Sequence, residues 1–164
     1  MSLSSLIVQR EIATIRAVEE ALARQVLYGG DLVTNLLEVT ALDEARLNEV
    51  TGEDLGMMPG PAGVLPPPAD DRARTTLPVE LAARRSIYPL QMSLDREQLI
   101  CAVAEPFSPE EEEQLIFALG VPISQRIVPL VRIRQALARE FDVPLERRFE
   151  RLVGRLSGDR HITS

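Results

Sequence analysis

The stretch that decides the fold runs from Leu77 to Pro106. It reads Leu77-Pro-Val-Glu-Leu-Ala-Ala-Arg-Arg-Ser86, then Ile-Tyr-Pro-Leu-Gln-Met-Ser-Leu94, then Asp-Arg-Glu-Gln-Leu-Ile-Cys-Ala-Val-Ala-Glu-Pro106. Pro78 is suited to the first turn of a helix, which we expect to continue through Ser86. Residues 87–94 and 98–104 are short apolar segments on either side of a polar turn, a pattern typical of a β-hairpin.

A second helix and a third strand follow the hairpin. Ser108-Pro109 with Glu111 is a strong helix start, because serine caps, proline takes the first helical position and glutamate completes a capping box. Gly120 ends this helix, residues 121–128 have strand character, and residues 130–141 form an amphipathic helix. The order helix, strand, strand, helix, strand, helix predicts an α+β fold with a small three-stranded sheet packed on helices.

The chain before residue 77 is helical at first and then rich in proline and glycine. Apolar residues on one face predict a single helix over residues 6–26, and they are Val8, Ile12, Ile15, Leu22 and Val26. Gly29-Gly30 ends this helix, and Asp43 has the features of an N-cap for another helix. Residues 56–68 hold three glycines and five prolines, which excludes a helix or a central strand there.

These patterns divide the chain into four segments. They are an N-terminal helical subdomain (1–55), a Pro/Gly-rich linker (56–75), an α/β sandwich subdomain (76–143), and a C-terminal helix with a disordered tail (144–164). Arginines occupy the expected outer face of the last helix. Three interpretations of that face are open: a link to a motor domain, a site for an acidic partner, or a solvated surface.

Residue types that enzyme sites commonly use are scarce in this chain. None of the 18 basic residues is a lysine, His161 lies in a polar tail, and Cys101 lies inside an apolar run. A P-loop lysine, a Schiff-base lysine, a zinc site or a Cys–His pair cannot be built from this set. We therefore expect no enzymatic activity, no catalytic residues, no metal site and no cofactor.

Two acidic clusters admit a second interpretation. Asp70-Asp71 would suit an acid/base pair, but the neighbouring proline and polar residues favour a solvated loop. The run from Glu110 to Glu113 would suit a metal, but neighbours on a helix point in different directions. Its position at a helix N-terminus, where the dipole favours negative charge, is the simpler explanation.

The charge distribution bears on partners and location. Arginines number four against ten acids in residues 1–58, six against ten in 59–129, and eight against five in 130–164. An acidic front disfavours nucleic acid as a partner, because neutralising phosphates dominates that binding. No run approaches the roughly 20 apolar residues of a membrane span, and the N-terminus lacks signal-peptide features. We expect a cytoplasmic protein that does not span a membrane.

Three pieces of the chain match a known family in order and spacing. The first is Leu42-Asp-Glu-Ala-Arg-Leu47, similar to the family's Ile-x-Glu-Glu-x-Leu helix. The second is the Leu77-Pro-Val-Glu-Leu segment, and the third is Leu99-Ile-Cys-Ala-Val-Ala-Glu-Pro106 with the Gly120-Val-Pro-Ile segment after it. Together they resemble the N-terminal domain of bacterial type II secretion and type IV pilus assembly ATPases, the GspE-type domain related to the cyclic di-GMP-binding MshEN domain.

The resemblance implies a non-catalytic docking domain. In that family the domain is tethered to a hexameric ATPase and docks it to the cytoplasmic domain of an inner-membrane platform protein. The implied partners are therefore the platform protein and an ATPase motor domain, with the chain held at the inner membrane through its partner. A docking role predicts apolar helix faces that remain exposed after the core is filled.

One branch of the family binds cyclic di-GMP, and its motif is not reproduced here. That motif occurs twice and opens with Arg-Leu-Gly, whereas the second position here reads Tyr28-Gly-Gly-Asp-Leu32 or, in another alignment, Asp31-Leu-Val33. The first copy is absent, so guanine and phosphate contacts lose their donors. Gly29 and Gly30 are the weak nucleotide-binding candidates that remain. Two alternatives stay open: a cyclic di-GMP-binding regulatory module, and a free-standing adaptor with the same fold.

Overall fold

The computed structural model describes the backbone of residues 1–163 and the side chains of residues 1–158. The last residues of the chain were predicted to be disordered. Most of their side chains lie outside the described range, so this disorder stays a prediction. The elements in chain order are α1 (Leu3–Gln9), α2 (Ile15–Tyr28), α3 (Leu32–Val39), α4 (Glu44–Leu55), β1 (Met58–Pro59), α5 (Asp71–Thr76), α6 (Val79–Arg85), β2 (Tyr88–Met92), β3 (Leu99–Val103), α7 (Pro109–Leu119), β4 (Ile123–Ile127), α8 (Leu130–Phe141) and α9 (Arg147–Thr163).

The sheet has four strands in the order β1-β4-β3-β2. The predicted hairpin is present as antiparallel β2 and β3, and β4 lies parallel to β3. The predicted α+β class is confirmed, but the count of three strands is wrong, because β1 pairs in parallel with β4 at Met58 and Pro59. Two residues, one of them a proline without an N–H, give almost no strand signal. The Gly60 N–H, bonded to the Ile127 carbonyl at 2.9 Å, extends the pairing.

The single helix predicted over residues 6–26 is wrong, because the chain breaks into α1 and α2. Glu11 adopts a left-handed φ of 57°, and Thr14 begins α2 by accepting the Ala17 N–H at 3.1 Å. The Ile12 N–H bonds to the Ile7 carbonyl at 3.0 Å across the corner. The apolar spacing runs unchanged through the break, so periodicity alone conceals it.

Helix starts follow their capping residues. Asp43 caps α4 by accepting the Arg46 N–H, and Ser108 forms the predicted capping box with Glu111 at the start of α7. Asp70 and Asp71 are exposed as expected, but their assignment to a loop is wrong. Asp70 caps α5 through the Ala73 N–H at 2.7 Å. The sequence feature that could have predicted α5 is an aspartate followed by a short segment compatible with a helix.

Two hydrophobic clusters form the core. One contains the sheet, with Tyr88, Leu99 and Leu137 among its fully buried residues. The other packs α1 to α4 and also includes residues from the C-terminal helices, namely Val131 of α8 and Phe149 and Leu152 of α9. The C-terminal helices therefore supply part of the core of the N-terminal helices. No helix in the described part of the chain has the length and apolar character that a membrane crossing requires.

The Pro/Gly-rich segment is packed rather than loose. Leu65 is 1% exposed within the sheet cluster. The Arg139 guanidinium donates to the Leu65 carbonyl at 2.6 Å, and the Tyr88 hydroxyl donates to the Pro66 carbonyl at 2.7 Å. Asn48 of α4 reaches the same segment, so it is held from both the sheet side and the N-terminal helices.

Candidate functional site

The two candidate glycines lie in the turn between α2 and α3. Gly29 ends α2 with a φ of 73°, and Gly30 follows with a φ of 83°. Glycine adopts such values at little steric cost. The Asp31 carboxylate then caps α3 by accepting the Thr34 N–H at 2.7 Å. Both glycines therefore serve to reverse the chain between two helices.

A guanidinium from far along the sequence covers this turn. Arg148 of α9 donates from Nη1 to the carbonyl oxygens of Tyr28 at 3.2 Å and Gly29 at 3.0 Å. Its Nη2 donates to Asn35 Oδ1 at 2.9 Å and Glu38 Oε1 at 2.8 Å, and its Nε donates to Glu38 Oε2 at 3.0 Å. An arginine has five N–H donors, and here each has an acceptor.

The carboxylate at the centre of this cluster is held in its charged form. Burial by itself raises the pKa of Glu38, but the hydrogen bonds and charges of Arg148 and Arg24 outweigh burial and bring the pKa below its ordinary value. The hydrogen bond to Glu38 in turn raises the pKa of Arg148. The Arg24 guanidinium also lies 4.9 Å from the centre of the Tyr28 ring. The cluster thus joins α2, α3 and α9 through charge-assisted hydrogen bonds.

The geometry leaves little room for a ligand at the turn. A Cβ atom on Gly30 would lie 2.9 Å from Nη1 of Arg148, so the guanidinium occupies the space beside the glycine. Nucleotide binding at Gly29 and Gly30 stays a prediction. The arginines of the last helix were predicted to lie on its outer face, but Arg148 contacts the turn instead. Arg148 lies three residues after Leu145 and four before Leu152. This spacing places it at the edge of the apolar face of α9, and from that spacing an inward contact could have been predicted.

Two clefts lie next to this turn. The first, of about 160 Å³, lies between α1, α3, α4 and the end of β4, and its charged lining residues are Asp31, Asp54 and Glu105. The second, of about 330 Å³, adds two arginines to its lining, and Arg85 is one of them. Arg85 is already paired with Glu111. The first cleft, whose charged lining residues are all acidic, disfavours phosphate groups, because like charges repel at short range.

Cysteine and histidine, two residue types that often act as nucleophile or base, each occur once in this chain. Cys101 is fully buried in β3, and burial raises the pKa of its thiol to about 12. Such a thiol carries almost no thiolate at neutral pH. The side chain of His161 lies outside the described residues. Within the described part of the chain, no three His, Cys, Asp or Glu residues are close enough together to hold a metal ion.

One helix presents an apolar surface to solvent. Five large residues of α2 are exposed, and we call them the α2 surface: Ile15 62%, Leu22 41%, Val26 87%, Leu27 74% and Tyr28 63%. The core contacts of α2 are made instead by Val18 and Ala21, which are buried. The sequence predicted the shared face of Ile15, Leu22 and Val26, and that face remains uncovered. Exposed Glu19 lies on the same face, four residues after Ile15 and three before Leu22.

Outside α2, the other large exposed apolar side chains lie on different elements or loops of the chain. Phe117 of α7 is 92% exposed, and Leu94 in the hairpin turn is fully exposed. Single exposed apolar residues are normal on soluble proteins, whereas contiguous ones mark interaction sites. The α2 surface is therefore the stronger candidate for a contact with another protein.

Comparisons with known proteins agree with the fold. The sequence model of the MshEN domain family matches residues 61–158, which is more than half of the chain. A solved structure of MshE with cdg aligns with a TM-score of 0.58 and 23% identity, over 86% of this chain and 99% of that chain. The N-terminal domain of XpsE aligns with a TM-score of 0.55 and 16% identity, over 85% and 93%. At these identities the two structures bear on the fold alone. No curated protein matches the sequence.

Proposed function

The chain belongs to the MshEN domain family, and from that membership we propose that it is a non-catalytic docking domain of a bacterial type II secretion or type IV pilus assembly ATPase system. Its proposed partner is the cytoplasmic domain of the inner-membrane platform protein. The ATPase motor domain is a second proposed partner, on the same polypeptide or a separate one. The chain would then act in the cytoplasm and be held at the inner membrane by its partner.

The observation that carries this proposal is the α2 surface. Its residues lie within a single helix of 14 residues, and the most exposed of them, Val26, is 87% accessible. Covering apolar area contributes about 25 cal/mol per Å². One stripe of α2 carries Ile15, Leu22 and Val26, seven and four positions apart, and a partner can cover it; Leu27 and Tyr28 lie on other sides of the helix. Glu19 within the stripe favours a basic residue opposite it.

A binding experiment tests the docking function and its surface separately. The full chain would be titrated with the purified cytoplasmic domain of the platform protein. We expect wild type to bind and the double variant Leu22→Gln/Val26→Gln to bind at least about tenfold more weakly, since central apolar contacts dominate most interfaces. Phe117→Gln is the matched control, because it removes an equally exposed apolar side chain on α7.

The outcomes separate two kinds of failure. If folded wild type does not bind, the docking function is wrong. If wild type and the double variant bind equally well, docking stands and the α2 surface is not its site. Loss of binding by Phe117→Gln alone would move the interface to α7.

The alternative function is binding of cyclic di-GMP, as the structure of MshE with cdg suggests for this family. The turn at Gly29-Gly30 opposes it, because the donors of Arg148 already have acceptors within the chain. The acidic cleft beside the turn opposes it as well. We expect a calorimetric titration with cyclic di-GMP to give no heat of binding at tens of micromolar protein. A saturable signal lost in Arg148→Gln would favour the alternative.

A further inference from the structure

A shallow groove lies where the Pro/Gly-rich segment crosses the sheet. Its volume is about 550 Å³, within the usual range of ligand sites. Pro61, Pro66 and Pro67 line it from the segment, and Leu90, Ile100 and Arg126 line it from β2, β3 and β4. Among the described residues that line it, Arg126 alone is charged. We call this the proline-lined groove.

The walls of the groove are fixed before any ligand arrives. Asn48 Nδ2 donates to the carbonyls of Gly60 at 3.3 Å and Pro61 at 3.2 Å. The Tyr88 hydroxyl donates to Pro66, and the Ala69 N–H donates to the Leu90 carbonyl at 2.9 Å. Proline rings also have little backbone freedom to lose. A rigid wall lowers the entropic cost of binding, so even a shallow groove can hold a small molecule.

Arg126 has one edge of its guanidinium free. Its Nη1 donates to the Ser124 hydroxyl at 2.6 Å and to the Gln125 carbonyl at 3.2 Å. Its Nε and Nη2 have no hydrogen-bond partner among the described residues, and no carboxylate there forms a salt bridge with it. These two atoms form the edge that accepts a carboxylate with two parallel hydrogen bonds.

Two other arginines of this chain bind a carboxylate through their Nε and Nη2 atoms. Arg132 holds both carboxylate oxygens of Glu44 through Nε at 2.9 Å and Nη2 at 2.6 Å. Arg148 holds both oxygens of Glu38 with the same pair of atoms. Arg126, whose Nε and Nη2 have no partner among the described residues, lines a groove whose other lining residues are mainly apolar. A partly buried cation without a counter-ion favours an anion beside it.

We propose that the proline-lined groove binds a small molecule with an apolar body and one carboxylate. The carboxylate takes the Nε and Nη2 edge of Arg126, and the apolar body lies against the prolines, Leu90 and Ile100. A single guanidinium in a chain of net charge −7 suits a monoanion better than a dianion. This site is separate from the α2 surface and does not rest on the docking function.

The test is a titration of the full chain with octanoate, followed by the backbone amide NMR signals of Leu90, Gln91, Ile100 and Arg126. Octanol supplies the apolar body without the charge, and acetate supplies the charge without the body. We expect octanoate to bind about tenfold or more tightly than octanol, and Arg126→Gln to lose that difference, as expected for charge-assisted hydrogen bonds. Arg151→Gln, at an exposed position of α9, is the matched control and should bind as wild type does.

If Arg126→Gln fails to fold, a second variant still tests the proposal. Gln91 is exposed and lines the groove, so Gln91→Glu should weaken octanoate binding by repulsion and leave octanol binding unchanged. Equal binding of octanoate and octanol would overturn the proposal, as would shifts confined to α2. Tighter binding of N-acetyl-leucine than of octanoate would overturn the small-molecule assignment in favour of a polypeptide C-terminus.

Discussion

Arg132 and Arg10 each bind a glutamate through two hydrogen bonds, but only the first pair is buried. The side chains of Arg132 and Glu44 are 6% and 13% exposed, whereas those of Arg10 and Glu53 are 47% and 48% exposed. Removing one partner of a buried pair leaves an uncompensated charge in a medium of low dielectric. The same bond pattern therefore has two different energetic consequences in this chain.

We expect Arg132→Ala to lower the free energy of unfolding by about 3–5 kcal/mol. Arg10→Ala should lower it by less than about 1 kcal/mol, since water screens an exposed pair. Urea unfolding of the two variants and wild type measures both values. Similar losses in the two variants would show that burial does not decide the strength of these pairs.

Glu38 gives stability a defined dependence on pH. Its pKa in the folded chain lies below the ordinary value of 4.5. Its contribution is therefore complete above pH 4.5 and is lost as the pH falls through the lower, folded-state pKa. We expect wild type to lose unfolding free energy more steeply than Glu38→Gln between about pH 5 and pH 3. Urea midpoints across that range provide the measurement, and parallel curves for the two proteins would contradict it.

At the scale of elements, the sequence allowed us to predict features that depend on a few neighbouring residues. Features that depend on contacts between distant residues could not be predicted. The helix starts at Asp43 and Ser108 followed from their capping residues alone. The Thr14 cap was equally local but was concealed by continuous apolar spacing. β1 exists because β4, more than 60 residues later, pairs with it. Likewise, the turn at Gly29-Gly30 was predictable, but its cover by Arg148 depends on how α9 packs.

The capping box of α7 permits a graded test at one position. Ser108 accepts the Glu111 N–H at 3.1 Å, and its own N–H donates to the Glu111 side chain at 3.2 Å. Ser108→Ala should lower the unfolding free energy by about 1 kcal/mol, because an orphan helix donor loses its acceptor. Ser108→Gly should cost only a few tenths. Thermal or urea unfolding distinguishes the two, and equal losses would mean that the hydroxyl does not stabilise α7.

At the scale of the whole molecule, several arginines of residues 130–164 bind groups from earlier in the chain. Arg132 binds Glu44 and Arg148 binds Glu38, both in the acidic residues 1–58, and Arg139 binds the Leu65 carbonyl. Phe149 and Leu152 add buried apolar contacts to the same interface. Composition revealed the charge asymmetry but could not reveal these pairings, because they depend on tertiary packing.

The division into subdomains at residues 1–55 and 76–143 stays a prediction, and we propose that the two unfold as one cooperative unit. Leu152 of α9 is 2% exposed and packs among residues of the N-terminal helices, while α8 contacts both clusters. Leu152→Ala should lower the unfolding free energy by about 2–5 kcal/mol. If the unit is cooperative, hydrogen exchange will show that loss equally in amides of α4 and of β3. Leu94→Ala, at a fully exposed leucine, is the control and should leave both unchanged. A loss confined to α4 would show that the sheet unfolds independently of the N-terminal helices.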